Sequence, residues 1–254
     1  MGETITAAFD FWHFRSIVSG VTELIDFAEW LATERNYDIY PIRFSYTKDD
    51  LEGVDILFIL SPGYKFTQSE IEAIHEWVKA GGILTVSRPI GKMEIINPLI
   101  QEFGARFTGE TVDSWAFYAD IPPELEELGE QYRILKNFLS KHPVNTGLKA
   151  VAEGSPKDKK HPYVIEIDIS KEKWSIIGAA TKNGEPKITA AIKQHYRGLV
   201  TIIGCVYLFY KWRFWLRNRE LEEEENSYLT NFKFINNLLN YFEENIRKGK
   251  RIEH

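Results

Sequence analysis

Two rhythms of apolar residues alternate along the first hundred positions. Uninterrupted runs, Thr4-Ile5-Thr6-Ala7-Ala8-Phe9-Asp10, Asp55-Ile56-Leu57-Phe58-Ile59-Leu60 and Ile83-Leu84-Thr85-Val86-Ser87, suit strands covered on both faces. Tyr37 to Phe44 reads as another strand through Ile39 and Ile42. Between the runs the apolar spacing lengthens to three and four. Val21, Leu24, Ile25, Ala28 and Leu31 predict one helix, and Ile71, Ile74 and Val78 a second. The second opens on Thr67-Gln68-Ser69-Glu70, a capping box whose ends satisfy each other's backbone donors, and stops at Gly81-Gly82. A third helix spans Ile96 to Phe103 and ends at Gly104. Such alternation predicts right-handed crossovers and a parallel, doubly wound sheet.

The pattern then changes. Pro122 to Ser140 reads as a helix through Leu125, Leu128, Tyr132, Leu135 and Leu139, and Ser155 to His161 as a solvated loop. Four strand-like stretches are Val164–Ile169, Trp174–Ala180, Ile188–Lys193 and Leu199–Ile203, with Asn183-Gly184 marking a turn. Phe232, Ile235, Leu238, Leu239 and Phe242 form the apolar stripe of a closing helix. The expected architecture is one α/β domain over 1–254: a three-layer, flavodoxin-like, mostly parallel sheet with a β-rich second half and C-terminal helices.

Composition narrows the function classes. The 254 residues allow one large core, and a formal charge of -6 opposes general nucleic-acid affinity, which needs a basic surface. Cys205 is the single cysteine, which excludes an intrachain disulfide and a cysteine-based zinc site. One Cys and two Met beside many Lys and Glu hint at a thermophilic source. The N-terminus lacks the basic and apolar regions of a secretory signal, and the apolar tract Leu199–Leu216 is interrupted by Lys211 and Arg213. A cytoplasmic protein without a membrane span is expected.

Four stretches together resemble the class I glutamine-amidotransferase-like superfamily, in its non-catalytic branch. They are Asp10-Phe11-Trp12-His13; Leu51 to Ser87; His142-Pro143-Val144-Asn145-Thr146-Gly147-Leu148; and Gly198–Gly204 with the helix at Asn231 to Tyr241. That branch includes modules of an intraflagellar-transport protein and of gliding-motility transporter components. The resemblance covers most of the chain and implies an amidotransferase-like fold used for binding. Cys205 stands where such modules often carry an acidic residue, and Val206 to Asn226 looks like an insertion.

Catalysis by the superfamily needs a Cys on a tight turn with His and Glu partners. The matching turn here, Ser87-Arg88-Pro89-Ile90-Gly91, has no Cys and is too bulky for a strained elbow. No cofactor or metal site is recognisable, and a pseudoenzyme is expected. Ligands of open parallel sheets bind beyond the strands' carboxyl ends. Asp10, His13, Arg15, Ser61, Tyr64, Ser87 and Arg88 should converge there, with chemistry suited to a small anionic or polyol ligand. Asp10 as a cap and His13 as a satisfied polar residue is the competing reading, as is Cys205 as a small buried hydrophobe rather than a thiolate. A hydrolase using Asp10 and His13 as acid and base is the enzymatic alternative.

In the insertion, Tyr210, Trp212, Arg213, Phe214, Trp215 and Arg217 combine aromatic and basic character. These types are enriched at interface hot spots, which points to a protein partner or to self-association. Two alternatives are a helix tucked on its own chain, pairing Arg219 with Glu223, and single-stranded nucleic-acid binding by stacking.

Overall fold

A computed structural model describes residues 4–14, 18–88, 92–112, 116–118, 135, 138–148, 150–152, 165–170, 173–205, 207–210 and 231–252. The first half alternates β1 (Ile5–Asp10), α1 (Val18–Glu34), β2 (Tyr37–Ile42), β3 (Ile56–Ile59), α2 (Gln68–Ala80), β4 (Ile83–Ser87) and α3 (Asn97–Gln101). Then follow β5 (Ala105–Thr111), β6 (Ala116–Tyr118), β7 (Ala150–Ala152), β8 (Ile165–Ile169), β9 (Trp174–Lys182), β10 (Glu185–His195) and β11 (Gly198–Ile203). A helical turn α4 (Tyr207–Tyr210) and a long helix α5 (Asn231–Ile252) complete the set.

Nine strands form one sheet in the order β2-β1-β3-β4-β11-β10-β9-β6-β7, while β5 and β8 pair separately. The run β2-β1-β3-β4-β11 is parallel throughout, and β10, β9, β6 and β7 continue it antiparallel. β11 therefore docks against β4 from the far end of the chain and closes a flavodoxin-like order. The β9–β10 hairpin turns at Asn183 (φ 52°) and Gly184 (φ 79°), left-handed positions that Asn and Gly tolerate.

Strand alternation sorts the core into two faces. Ala7, Phe9, Ile56, Phe58, Ile83, Leu199 and Ile203 face α1, α4 and α5. Ala8, Leu57, Ile59, Leu84, Val86, Val200 and Ile202 face α2, α3 and the β5–β8 pair. A three-layer α/β domain results, because strands apolar on both sides need a cover on each. Phe9 stacks on Phe58 at 5.0 Å between ring centroids, and Phe27 of α1 meets both, with Phe209 of α4 5.4 Å from Phe27.

The capping box at Thr67 and Glu70 forms as expected, and Gly81 (φ 129°) ends α2. α1 differs from its pattern: Leu24, Phe27, Trp30 and Leu31 turn inward, whereas Ile25 is exposed. β5, β6 and β7 were not expected from the pattern, being short or polar on one side. Most of the expected 122–140 helix lies outside the described residues; within it Leu135 is buried against Ala179. Among the described residues no helix is long and apolar enough to cross a membrane.

Candidate functional site

At the carboxyl end of β1, Asp10 begins a tight turn. Its Oδ1 accepts the N–H groups of Trp12 and His13, each at 3.0 Å. This geometry folds the chain back so that the His13 ring lies over its own turn, with Nδ1 3.2 Å from Asp10 Oδ2. The other ring nitrogen, Nε2, is 3.4 Å from Glu70 Oε2 at the start of α2. Asp10, His13 and Glu70 are all buried. The imidazole stacks on Phe66, 3.8 Å between centroids, and also neighbours Tyr46 at 5.5 Å, the two aromatic rings being 6.2 Å from each other.

Glu70 is the most heavily bonded of the three. Oε1 accepts from Ser45 Oγ (2.8 Å) and Tyr46 N (3.2 Å), and Oε2 from Thr67 N and Thr67 Oγ (2.7 Å each). Burial alone would raise its pKa, but the Thr67 and Ser45 bonds and the His13 charge outweigh it and hold the carboxyl below its ordinary value. Burial, reinforced by Asp10 and Glu70, pushes the Tyr46 hydroxyl well above its ordinary value.

The ends of β3 and β4 are stitched into the same region. The Ser61 N–H donates to Ser87 Oγ at 3.0 Å, Ser61 Oγ donates to the Arg88 carbonyl at 3.3 Å, and the Arg88 N–H donates to Ile203 O at 3.0 Å. Both serines are fully buried, and Ser61 holds a left-handed φ of 53°. The His13 carbonyl accepts the N–H groups of Gly63 (2.7 Å) and Tyr64 (3.3 Å), and Phe14 bridges Pro62. The loops after β1 and β3 are thus bonded to each other at the switch point of the sheet, where an open crevice would hold a ligand.

Of the expected strand-end residues, Asp10, His13, Ser61, Ser87 and the Arg88 backbone come together, while the Tyr64 side chain stands exposed on the rim beside Trp12. Arg15 lies outside the described residues, as do Pro89, Ile90 and Gly91. Trp212, Arg213, Phe214, Trp215 and Arg217 also lie outside them, and Tyr210 is placed only by its backbone. Just ahead of that set, Leu208 and Phe209 are fully buried in the chain's own core. Cys205 is buried, as a small apolar side chain would be. His142 is held locally: its ring accepts the Val144 N–H at 3.3 Å and packs edge-on against Tyr241.

Sequence reasoning placed Glu70 only as a helix cap and overlooked Tyr46 and Phe66. The capping box was the available signal, since a Glu at that position sits where the helix dipole favours a carboxylate. The described clefts lie elsewhere. One of about 390 Å³ opens at the opposite, amino edge of the sheet among Val54, Trp77, Gly82, Arg197 and Asn245. Another of about 860 Å³ lies beside α3 and β5, among Asn97, Arg106, Glu166 and Lys187. Among the described residues, no group of three or more His, Cys, Asp or Glu side chains is arranged to hold a metal ion.

No family model and no curated protein sequence matches the chain. Solved structures do match its fold. The mmIFT52 N-terminal domain superposes with a TM-score of 0.61 at 14% identity, covering 93% of this chain and 96% of that one. A ThuA-like protein from Bacteroides uniformis gives 0.53 at 11% identity, over 80% and 82%. An exo-β-1,4-mannosidase from an Opitutaceae bacterium gives 0.50 at 12% identity, over 88% of this chain and 35% of that enzyme.

Proposed function

We propose that this chain is a non-catalytic, cytoplasmic binding or scaffolding module, one domain over 1–254, that docks a protein partner or a second copy of itself. The observation that carries the reading is the bonding of the described strand-end side chains to one another. Catalysis there would need a reachable nucleophile, a base and room for substrate. Ser87 is instead buried with its Oγ accepting a backbone N–H, and His13 is buried against Phe66 with a carboxylate at each ring nitrogen. The polar residues at the strand ends serve the fold. The amidotransferase-like resemblance and the near full-length match to the mmIFT52 N-terminal domain agree with this reading.

Docking is assigned to the aromatic and basic segment 206–226. Its residues Trp212, Phe214 and Trp215 combine large apolar area with neighbouring Arg213 and Arg217, the chemistry of interface anchors. Replacing these three aromatics by Ser should change the sedimentation coefficient or abolish capture of a partner from native extract, with the far-UV spectrum unchanged. Unaltered sedimentation together with unaltered capture would refute docking through this segment. Turnover of a substrate by the wild type, lost in His13→Gln, would favour the hydrolase alternative instead.

A further inference from the structure

His75 and His195 meet on the surface away from the strand-end loops. His75 projects from α2, and His195 is the last residue of β10. Their Nε2 atoms are 3.1 Å apart, a hydrogen bond in which one ring donates and the other accepts and whose proton a bridging metal ion would replace. Two nitrogens bound ~2.1 Å from one ion stand ~3.4 Å apart at a tetrahedral angle and ~3.0 Å apart at a right angle. The observed separation lies between those values.

We propose that His75 and His195 form a two-imidazole site for a divalent late first-row metal ion, Zn²⁺ being the representative, with water filling the remaining positions. Neutral imidazole is the ligand such ions prefer, and two side chains leave the coordination open.

The two rings are preorganised. Phe103 packs edge-on against both, at 5.4 Å from His75 and 5.1 Å from His195, and Tyr196 closes the other flank of His195 at 4.9 Å. The elements carrying them cannot separate easily. Gly198, at the start of β11, sits so close to α2 that an added Cβ would lie 2.1 Å from Val78 O. A bite fixed in this way costs little conformational entropy when metal binds.

Charge tunes the affinity. Lys193, Lys79 and Lys173 place positive charge near His195. The same lysines repel a cation, but two of them are engaged: Lys193 Nζ donates to Phe103 O at 2.8 Å, and Lys79 Nζ to Glu76 at 2.7 Å. The Glu76 carboxylate, paired with Lys79, stands 3.9 Å from His75 Nδ1, beyond hydrogen-bond reach. The balance predicts weak, open-site binding, which cross-links α2 to the β10–β11 turn.

The test is titration of the EDTA-stripped full chain with ZnCl₂, followed by calorimetry, thermal melting and ¹⁵N spectra of the histidine rings. Zinc should raise Tm and shift the Nε2 resonances of His75 and His195. His75→Ala and His195→Ala should each weaken binding at least ~10-fold and lose the Tm rise, whereas His142→Ala should keep both. Absence of binding, or zinc held at another imidazole while the rings of His75 and His195 stay unshifted, would overturn the proposal. The wild-type spectra decide the matter even if a variant fails to fold.

Discussion

Glu70 gathers four hydrogen bonds and an imidazole inside a region with almost no solvent exposure. Removing it takes the acceptor from the buried Tyr46 N–H and from the Thr67 N–H, and leaves His13 facing only Asp10. Glu70→Ala should therefore destabilise the fold by ~3–5 kcal/mol, read from urea denaturation, because a broken buried pair costs far more than the intact pair contributes. Glu70→Gln, which keeps oxygen and nitrogen in the same places, should cost less. Equal stability of Glu70→Ala and wild type would show that the buried cluster is dispensable.

His195 also has a signed consequence at this scale. Its folded pKa of about 4 lies below the ordinary 6.5, so between these values the unfolded chain binds a proton that the native ring refuses. Stability contributed by neutral His195 is intact above about pH 6.5 and is lost as pH falls toward 4. The groups responsible are its burial against Phe103 and the charges of His75, Lys193, Lys79 and Lys173. In EDTA, urea midpoints should decline over that interval, and His195→Gln should flatten the decline. His142, lowered by burial, adds in the same direction. Glu70 acts further down the scale: its depressed pKa gives stability present above the ordinary carboxylate value and lost as pH drops through the folded one.

Among elements, α2 and β11 make the closest approach, and glycine is what permits it. An Ala at 198 would place Cβ 2.1 Å from Val78 O and 2.3 Å from Gly82 O, both rigid backbone atoms. Gly198→Ala should cost ~1–3 kcal/mol or more by forcing helix and strand apart. Gly249, within α5 and with nothing near its missing Cβ, is the control: Gly249→Ala should be neutral or stabilise by up to ~1 kcal/mol through helix propensity. A Gly198→Ala protein with a wild-type denaturation midpoint would contradict this packing. The contrast was hidden from the pattern of residues, since both positions read simply as glycine.

For the molecule as a whole, β11 is the decisive strand. It lies about 110 residues beyond β4 in sequence, yet it pairs with β4 in register from Leu199–Ile83 to Ile203–Ser87 and continues the sheet into β10 and β9. α5 returns to cover the first half, where Arg35 Nη2 and the Tyr37 hydroxyl both donate to Glu243, at 2.6 and 2.9 Å. Phe209 of α4 is likewise buried against Phe27 and Phe58.

The sequence by itself determined the alternation of elements, the doubly covered strands β1, β3, β4 and β11, the cap of α2 and the Asn183-Gly184 turn. Each of these depends on local periodicity or on one residue's backbone preference. It also brought Asp10, His13, Ser61 and Ser87 to the same sheet edge, since topology alone places strand ends. Only the tertiary structure decided that these side chains are buried and bonded within the fold. Whether His13 faces solvent or stacks on Phe66, and whether His75 meets a residue 120 positions away, depends on how separate elements pack. That is a matter of non-local distances, which no spacing along one chain encodes.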